Sequence, residues 1–150
     1  MAAFVHILVA TDFSEASRGA IALARELARD SGGALTVTHT CELPEFGEVG
    51  LPSEIIDAMT DGARKKLDEV LRAIREECPT AHAALRIGVP WEQILALAEE
   101  IGADLIVMGT HGRRGIAHAF MGSIAERVVR VAAIPVLTVG QRARRAARAA

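Results

Sequence analysis

Apolar residues along this chain follow two rhythms, short solid runs and longer stretches with an apolar position every three or four residues. FVHILVA (residues 4–10) is a solid run rich in β-branched residues, followed by the turn and cap formers Thr11, Asp12 and Ser14. It predicts a buried strand leading into a helix. That helix opens near Ser14 and carries Ala20, Ile21, Ala24, Leu27 and Ala28 on one face, until Gly32 and Gly33 stop it. LTVTHT (residues 35–40) predicts a second strand. CELPEFGEVGLP fits neither rhythm, and its glycines and prolines predict a long mobile loop. From Pro52 the helical rhythm returns, with Ile55, Met59, Ala63, Leu67, Val70, Leu71 and Ile74 facing inward and a charged outer face, ending at Cys78-Pro79.

Residues 82–87 alternate, Ala83, Leu85 and Ile87 against His82 and Arg86, as a half-exposed edge strand does. Pro90 suits the first turn of a helix, where its missing N–H costs nothing. Ile94, Leu95, Ala98 and Ile101 face inward, and Gly102 closes that helix. LIVMG (residues 105–109) is apolar throughout and predicts a central strand covered on both faces. A short helix over residues 124–132 and the strand Pro135-Val136-Leu137-Thr138-Val139 complete the series. Strands alternating with helices imply a parallel α/β sheet with right-handed crossovers.

The chain has 150 residues, half of them hydrophobic, which is enough for one domain with a core. A formal net charge of -2 excludes binding nucleic acid or anionic membrane by bulk charge. Cys41 and Cys78 lack the spacing of a disulfide framework or zinc site, and the five histidines do not cluster. No basic leader with a cleavage site opens the chain, and its first apolar run is too short to span a bilayer, so a cytoplasmic location is the expectation. QRARRAARAA (residues 141–150) has four arginines and no acid, predicting a disordered tail; a weak acidic or nucleic-acid partner is the alternative.

Directly after LIVM comes the densest local signal, GTHGRRGIAHAFMGS, with four glycines in fourteen residues. Ligands of open parallel sheets bind outside the carboxyl ends of the strands. Glycines there allow sharp turns and let backbone N–H groups meet oxygens. Ser123-Ile124-Ala125-Glu126 has capping-box spacing, so Ser123 is read as opening the last helix, whose positive end attracts an anion. The stretch is a phosphate cradle of neither common type. A Walker loop needs GxxxxGK[ST], and the two lysines, Lys65 and Lys66, lie inside a helix; a GxGxxG fingerprint would follow the first strand, which here leads into ATDFSEAS.

The spacing Gly109-x2-Gly112-x9-Gly122-Ser123 resembles the G-x2-G-x9-G-[ST] signature of the universal stress protein family. The likeness extends over ATDFSEAS, TVTHT, GVPWEQI, ADLIVMGTHGRRG and IPVLTV. It implies a Rossmann-like, adenine nucleotide alpha hydrolase-like domain over residues 1–140. That domain has an open five-stranded parallel sheet in the order 3-2-1-4-5, with helices on both faces. It further implies ATP or another adenine nucleotide as ligand, with Mg²⁺ as a companion, and a homodimer through the Pro135 to Val139 edge. Asp12 would lie at the nucleoside and Thr40 at adenine, where an apolar residue is common in the family. Met108 and Gly109 would line the same pocket, and Gly112, Arg113, Gly122, Ser123 and Ile124 would hold ribose and phosphates.

Plainer readings stand beside these. Asp12 caps a helix or turn, Arg113 and Arg114 are solvated loop charges, and the glycine segment is a structural turn. At the level of function the resemblance implies a nucleotide-binding regulator of the stress response with little or no hydrolysis. The alternatives are a dimeric interaction module with a vestigial site and, less favoured, an ATPase or phosphotransfer enzyme.

Overall fold

Solid apolar runs become the middle of the sheet, and rhythmic runs become its covering helices. The computed structural model describes residues 4–44, 50–111 and 121–140. In chain order the elements are β1 His6–Ala10, α1 Glu15–Ser31, β2 Ala34–Cys41, α2 Ser53–Arg75, β3 His82–Ile87, α3 Pro90–Glu100, β4 Leu105–Gly109, α4 Ser123–Val131 and β5 Val136–Val139. All pairings are parallel and the strand order is β3-β2-β1-β4-β5, with helices on both faces. Part of the expected mobile loop (residues 45–49), the middle of the glycine segment (112–120) and the tail (141–150) lie outside the described residues.

Each central strand feeds two cores, which is why its run has no polar alternation. Ile7 and Val9 pack with Leu35, Val37, Leu105 and Val107 beneath α1 and α2. Leu8, Ile106 and Met108 point the other way and meet Ile94, Leu97 and Ala98 of α3 and Ala125 and Val128 of α4. The inner stripe of α1 is Ala16, Ala20, Ala24 and Ala28, side chains short enough to bring its backbone close to the sheet. Ser14 caps α1 by accepting from the Ser17 N–H, and Gly32 ends it at φ 68.

Some expectations shift. β1 begins at His6 rather than residue 4, because the Asp104 carboxylate accepts from the N–H groups of Val5 (2.8 Å) and His6 (3.0 Å). The α2 face differs more. Leu67, Ile74 and Thr60 are buried, whereas Ile55 and Met59, read as inward-facing, are 46% and 39% exposed. At about 1.5 Å per residue α2 is far longer than the strands it covers, so its first turns overhang the sheet's carboxyl edge. Ile87, read as an inner residue of β3, is likewise uncovered.

Candidate functional site

The direction of chain winding reverses between β1 and β4: the chain passes from β1 outward to β2 and β3, then crosses back to β4 and β5. Beyond the carboxyl ends of these strands lies a cavity of about 910 Å³. Parallel α/β sheets bind ligands at such a switch point. Asp12, Thr40, Met108, Gly109, Gly122, Ser123 and Ile124 all line it, so the structure brings together seven residues that lie more than 100 positions apart at the extremes. Gly112, Arg113 and Arg114 lie outside the described residues.

On one wall the loop after β1 is held tightly. Thr11 donates its N–H to the Thr38 carbonyl, and its hydroxyl bonds the buried Ser17 hydroxyl at 2.9 Å and accepts from the Phe13 N–H. Asp12 Oδ1 accepts from the Ser14 N–H at 2.9 Å. Asp12 therefore closes a turn, while the capping of α1 falls to Ser14. Phe13 sits between them at φ 64, a left-handed conformation that costs a non-glycine residue roughly 1 kcal/mol or more. Its ring lies 4.3 Å from the His39 ring, and His39 Nδ1 is 2.8 Å from the Thr11 carbonyl, to which it donates.

The opposite wall is the start of α4. Ser123 opens this helix, as read, but as its first helical residue: Gly122 is the cap, and no side chain caps the end, so the expected capping box does not form. With Gly122 at φ -60 and ψ 154, the chain enters the helix one residue earlier than the hydroxyl would require. The Gly122 carbonyl accepts the first helical bond, from Glu126, and the Gly122 N–H donates to the Thr110 carbonyl. Among the described residues the N–H groups of Ser123, Ile124 and Ala125 have no acceptor, and all three residues line the cavity. N–H groups left without acceptors at the positive end of a helix form an anion seat.

Gly109 has a packing reason beside the one its spacing suggested. A Cβ there would lie 3.2 Å from the Ala16 carbonyl carbon and 3.3 Å from Ala16 Cβ, so its missing side chain lets α1 pack against β4. Among the described residues the Thr40 hydroxyl, shut from solvent, has no hydrogen-bond partner, and His111 Nε2 shares that state while Nδ1 bonds the Thr110 hydroxyl at 2.9 Å. Asp12, His39 and His111, scattered in sequence, meet around one cavity. Among the described residues no group of three or more His, Cys, Asp or Glu side chains could hold a metal ion, and no helix is long and apolar enough to cross a membrane.

Sequence reasoning missed Phe13 and Lys66 as cavity residues. For Lys66 a signal existed: Met59, Ala63 and Lys66 share one helical stripe, and all three line the cavity. For Phe13 there was none, since its place beside His39 follows from the turn after β1 and from which strand pairs with it.

Comparison with known proteins agrees with this architecture. The family model described as the universal stress protein family matches residues 3–140. A universal stress protein of Methanocaldococcus jannaschii is 33% identical over 138 residues, 89% of this chain and 80% of that protein. A solved structure from the universal stress protein family of Burkholderia pseudomallei superimposes with TM-score 0.68 at 32% identity, covering 89% of this chain and 94% of that one. The structure of the universal stress protein from Archaeoglobus fulgidus in complex with dAMP gives TM-score 0.61 at 28% identity, covering 93% and 99%.

Proposed function

This chain belongs to the universal stress protein family, and from that premise we propose that it binds an adenine nucleotide, ATP foremost, in the cleft between β1 and β4. The observation that carries the reading is the run of N–H groups at Ser123, Ile124 and Ala125, which have no acceptor among the described residues and belong to residues lining the cavity. Each is a donor that burial under a ligand would leave unsatisfied unless the ligand brought oxygens. The dAMP complex of the Archaeoglobus fulgidus protein supports an adenine nucleotide as the oxygen-bearing ligand.

In this account phosphates lie at the α4 terminus, with Gly112 and Arg113 completing the cradle. Asp12 faces the ribose, while Thr40 and Met108 flank the base. Gly122 supplies clearance, and Gly109 sets the depth of the cleft through α1. Asp12 is already tied to the Ser14 N–H, which suits it to positioning a ligand rather than moving a proton. Magnesium enters as the companion of the phosphates, since no group of three or more His, Cys, Asp or Glu among the described residues could hold it alone.

Occupancy, rather than turnover, is the proposed output, in a cytoplasmic regulator of the stress response whose nucleotide-binding domain spans residues 1–140. The protein is proposed to dimerise through the outer edge of β5. Leu137 is 36% exposed on that strand, and Val129 and Val131 are exposed on the adjoining α4. An apolar edge without a charge invites a second strand.

Mass spectrometry of gently purified, then denatured, protein tests the reading. A stoichiometric adenine nucleotide is the expected result. An empty protein that also refuses added nucleotide would overturn it and favour the interaction-module alternative.

A further inference from the structure

We propose that Lys66 is an anion-binding residue of the cleft, making it favour a nucleoside di- or triphosphate over the monophosphate; the inference rests on the nucleotide-binding reading above. Among the described residues Lys66 is the sole lysine or arginine lining the cavity, whereas Asp12 and Glu42 line it with negative charge. The α4 terminus offers N–H groups and a partial positive charge, sufficient for one phosphate. Each further phosphate adds charge that the two carboxylates repel, so a longer polyphosphate calls for a cation on the α2 wall besides the Arg113 proposed for the cradle.

Lys66 stands ready for that role. It belongs to α2, on a wall contributed by neither the glycine segment nor α4. Among the described residues it makes no ion pair, although Asp68 and Glu69 lie nearby in the sequence; its Nζ lies over the Phe13 ring, 5.7 Å from the centroid. That ring is held by the left-handed backbone of Phe13 and by the stack on His39. A cation over an aromatic face keeps its charge and its three donors. One turn earlier Gly62, also a cavity residue, leaves open space where a Cβ would meet nothing within 4 Å. The exposed stem has freedom to follow a ligand.

Calorimetric titration of the full chain with adenosine, AMP, ADP and ATP tests this, using wild type, K66M and K66R. In wild type affinity is expected to rise with each phosphate. K66M should flatten that rise, with ATP binding about tenfold weaker, the size of one charge-assisted hydrogen bond. Its adenosine binding should be unchanged, and K66R should keep the rise. A K66M protein that retains the full rise, or that loses adenosine as strongly as ATP, would overturn the assignment. Failure of the underlying reading looks different: wild type would bind none of the four.

Discussion

Gly122 donates its N–H to the Thr110 carbonyl, joining the cap of α4 to the residue just past β4. The glycine segment is thereby closed at its base, and the N–H groups of Ser123, Ile124 and Ala125 have no acceptor among the described residues and are the donors proposed for a ligand. Gly122 serves as clasp and clearance while its neighbours supply the hydrogen bonds.

Asp12 and Ser14 separate ligand binding from stability. Ser14 caps α1, so Ser14→Ala should cost about 1 kcal/mol of stability and leave ATP affinity intact. Asp12→Ala loses the turn hydrogen bond from Ser14, itself worth about 1 kcal/mol or less, and should weaken ATP binding about tenfold or more. Thermal melts and titrations of both variants check the pair. An Asp12→Ala protein that melts early yet binds ATP normally would leave Asp12 a turn former only.

Gly109→Ala tests the packing explanation of that glycine. The new Cβ would press on α1 backbone at Ala16, and α1 must shift by a few tenths of an ångström. A loss of about 1–3 kcal/mol in denaturant unfolding is expected. Unchanged stability would show that α1 has slack and that Gly109 is needed for something else.

These cases mark where the sequence was legible. The stripe Ala20, Ala24, Ala28 and the solid run LIVMG reflect local periodicity, and both became the predicted elements. The strand order and the gathering of Asp12, Thr40 and Met108 came through family resemblance, since no local pattern encodes which strands pair. The cap of α4 was misread by one residue because Ser123 has the right chemistry, while the backbone angles of Gly122, which sequence does not display, decide where the helix starts. Met59 and Lys66 were assigned to a core face and a solvated face, yet both line the cavity. Their place depends on how far α2 overhangs the sheet, a property of the assembled layers.

Asp104 should make stability fall in acid. Partial burial pushes its carboxyl up, but the N–H groups of Val5, His6 and Asp104 itself together outweigh that and hold it below the ordinary carboxylate range. A group depressed in the folded state stabilises above its unfolded pKa, and that contribution is lost as pH falls through the folded value. Asp104→Ala should therefore melt below wild type at neutral pH, with the gap narrowing as acid protonates the wild-type carboxylate. A gap independent of pH would contradict this role.

Leu137→Lys should convert dimer to monomer in sedimentation equilibrium while the fold persists. Val139, on the same strand, is buried beneath α1 and would report unfolding instead, so it is unsuited to this test. Wild-type protein that sediments as a monomer at tens of micromolar, with or without ATP, would rule out the β5 interface.

The central claim is that phosphate seats against the start of α4, and titration of ATP into wild type and Gly122→Val tests it most directly. A side chain at Gly122 would stand next in the chain to the three N–H groups that have no acceptor among the described residues, and its φ of -60 is one that valine can adopt. Wild type should bind one ATP per chain, and the variant, with its melting transition retained, should bind at least ~2 kcal/mol more weakly, about 30-fold. Equal affinity in a folded Gly122→Val protein would contradict the account.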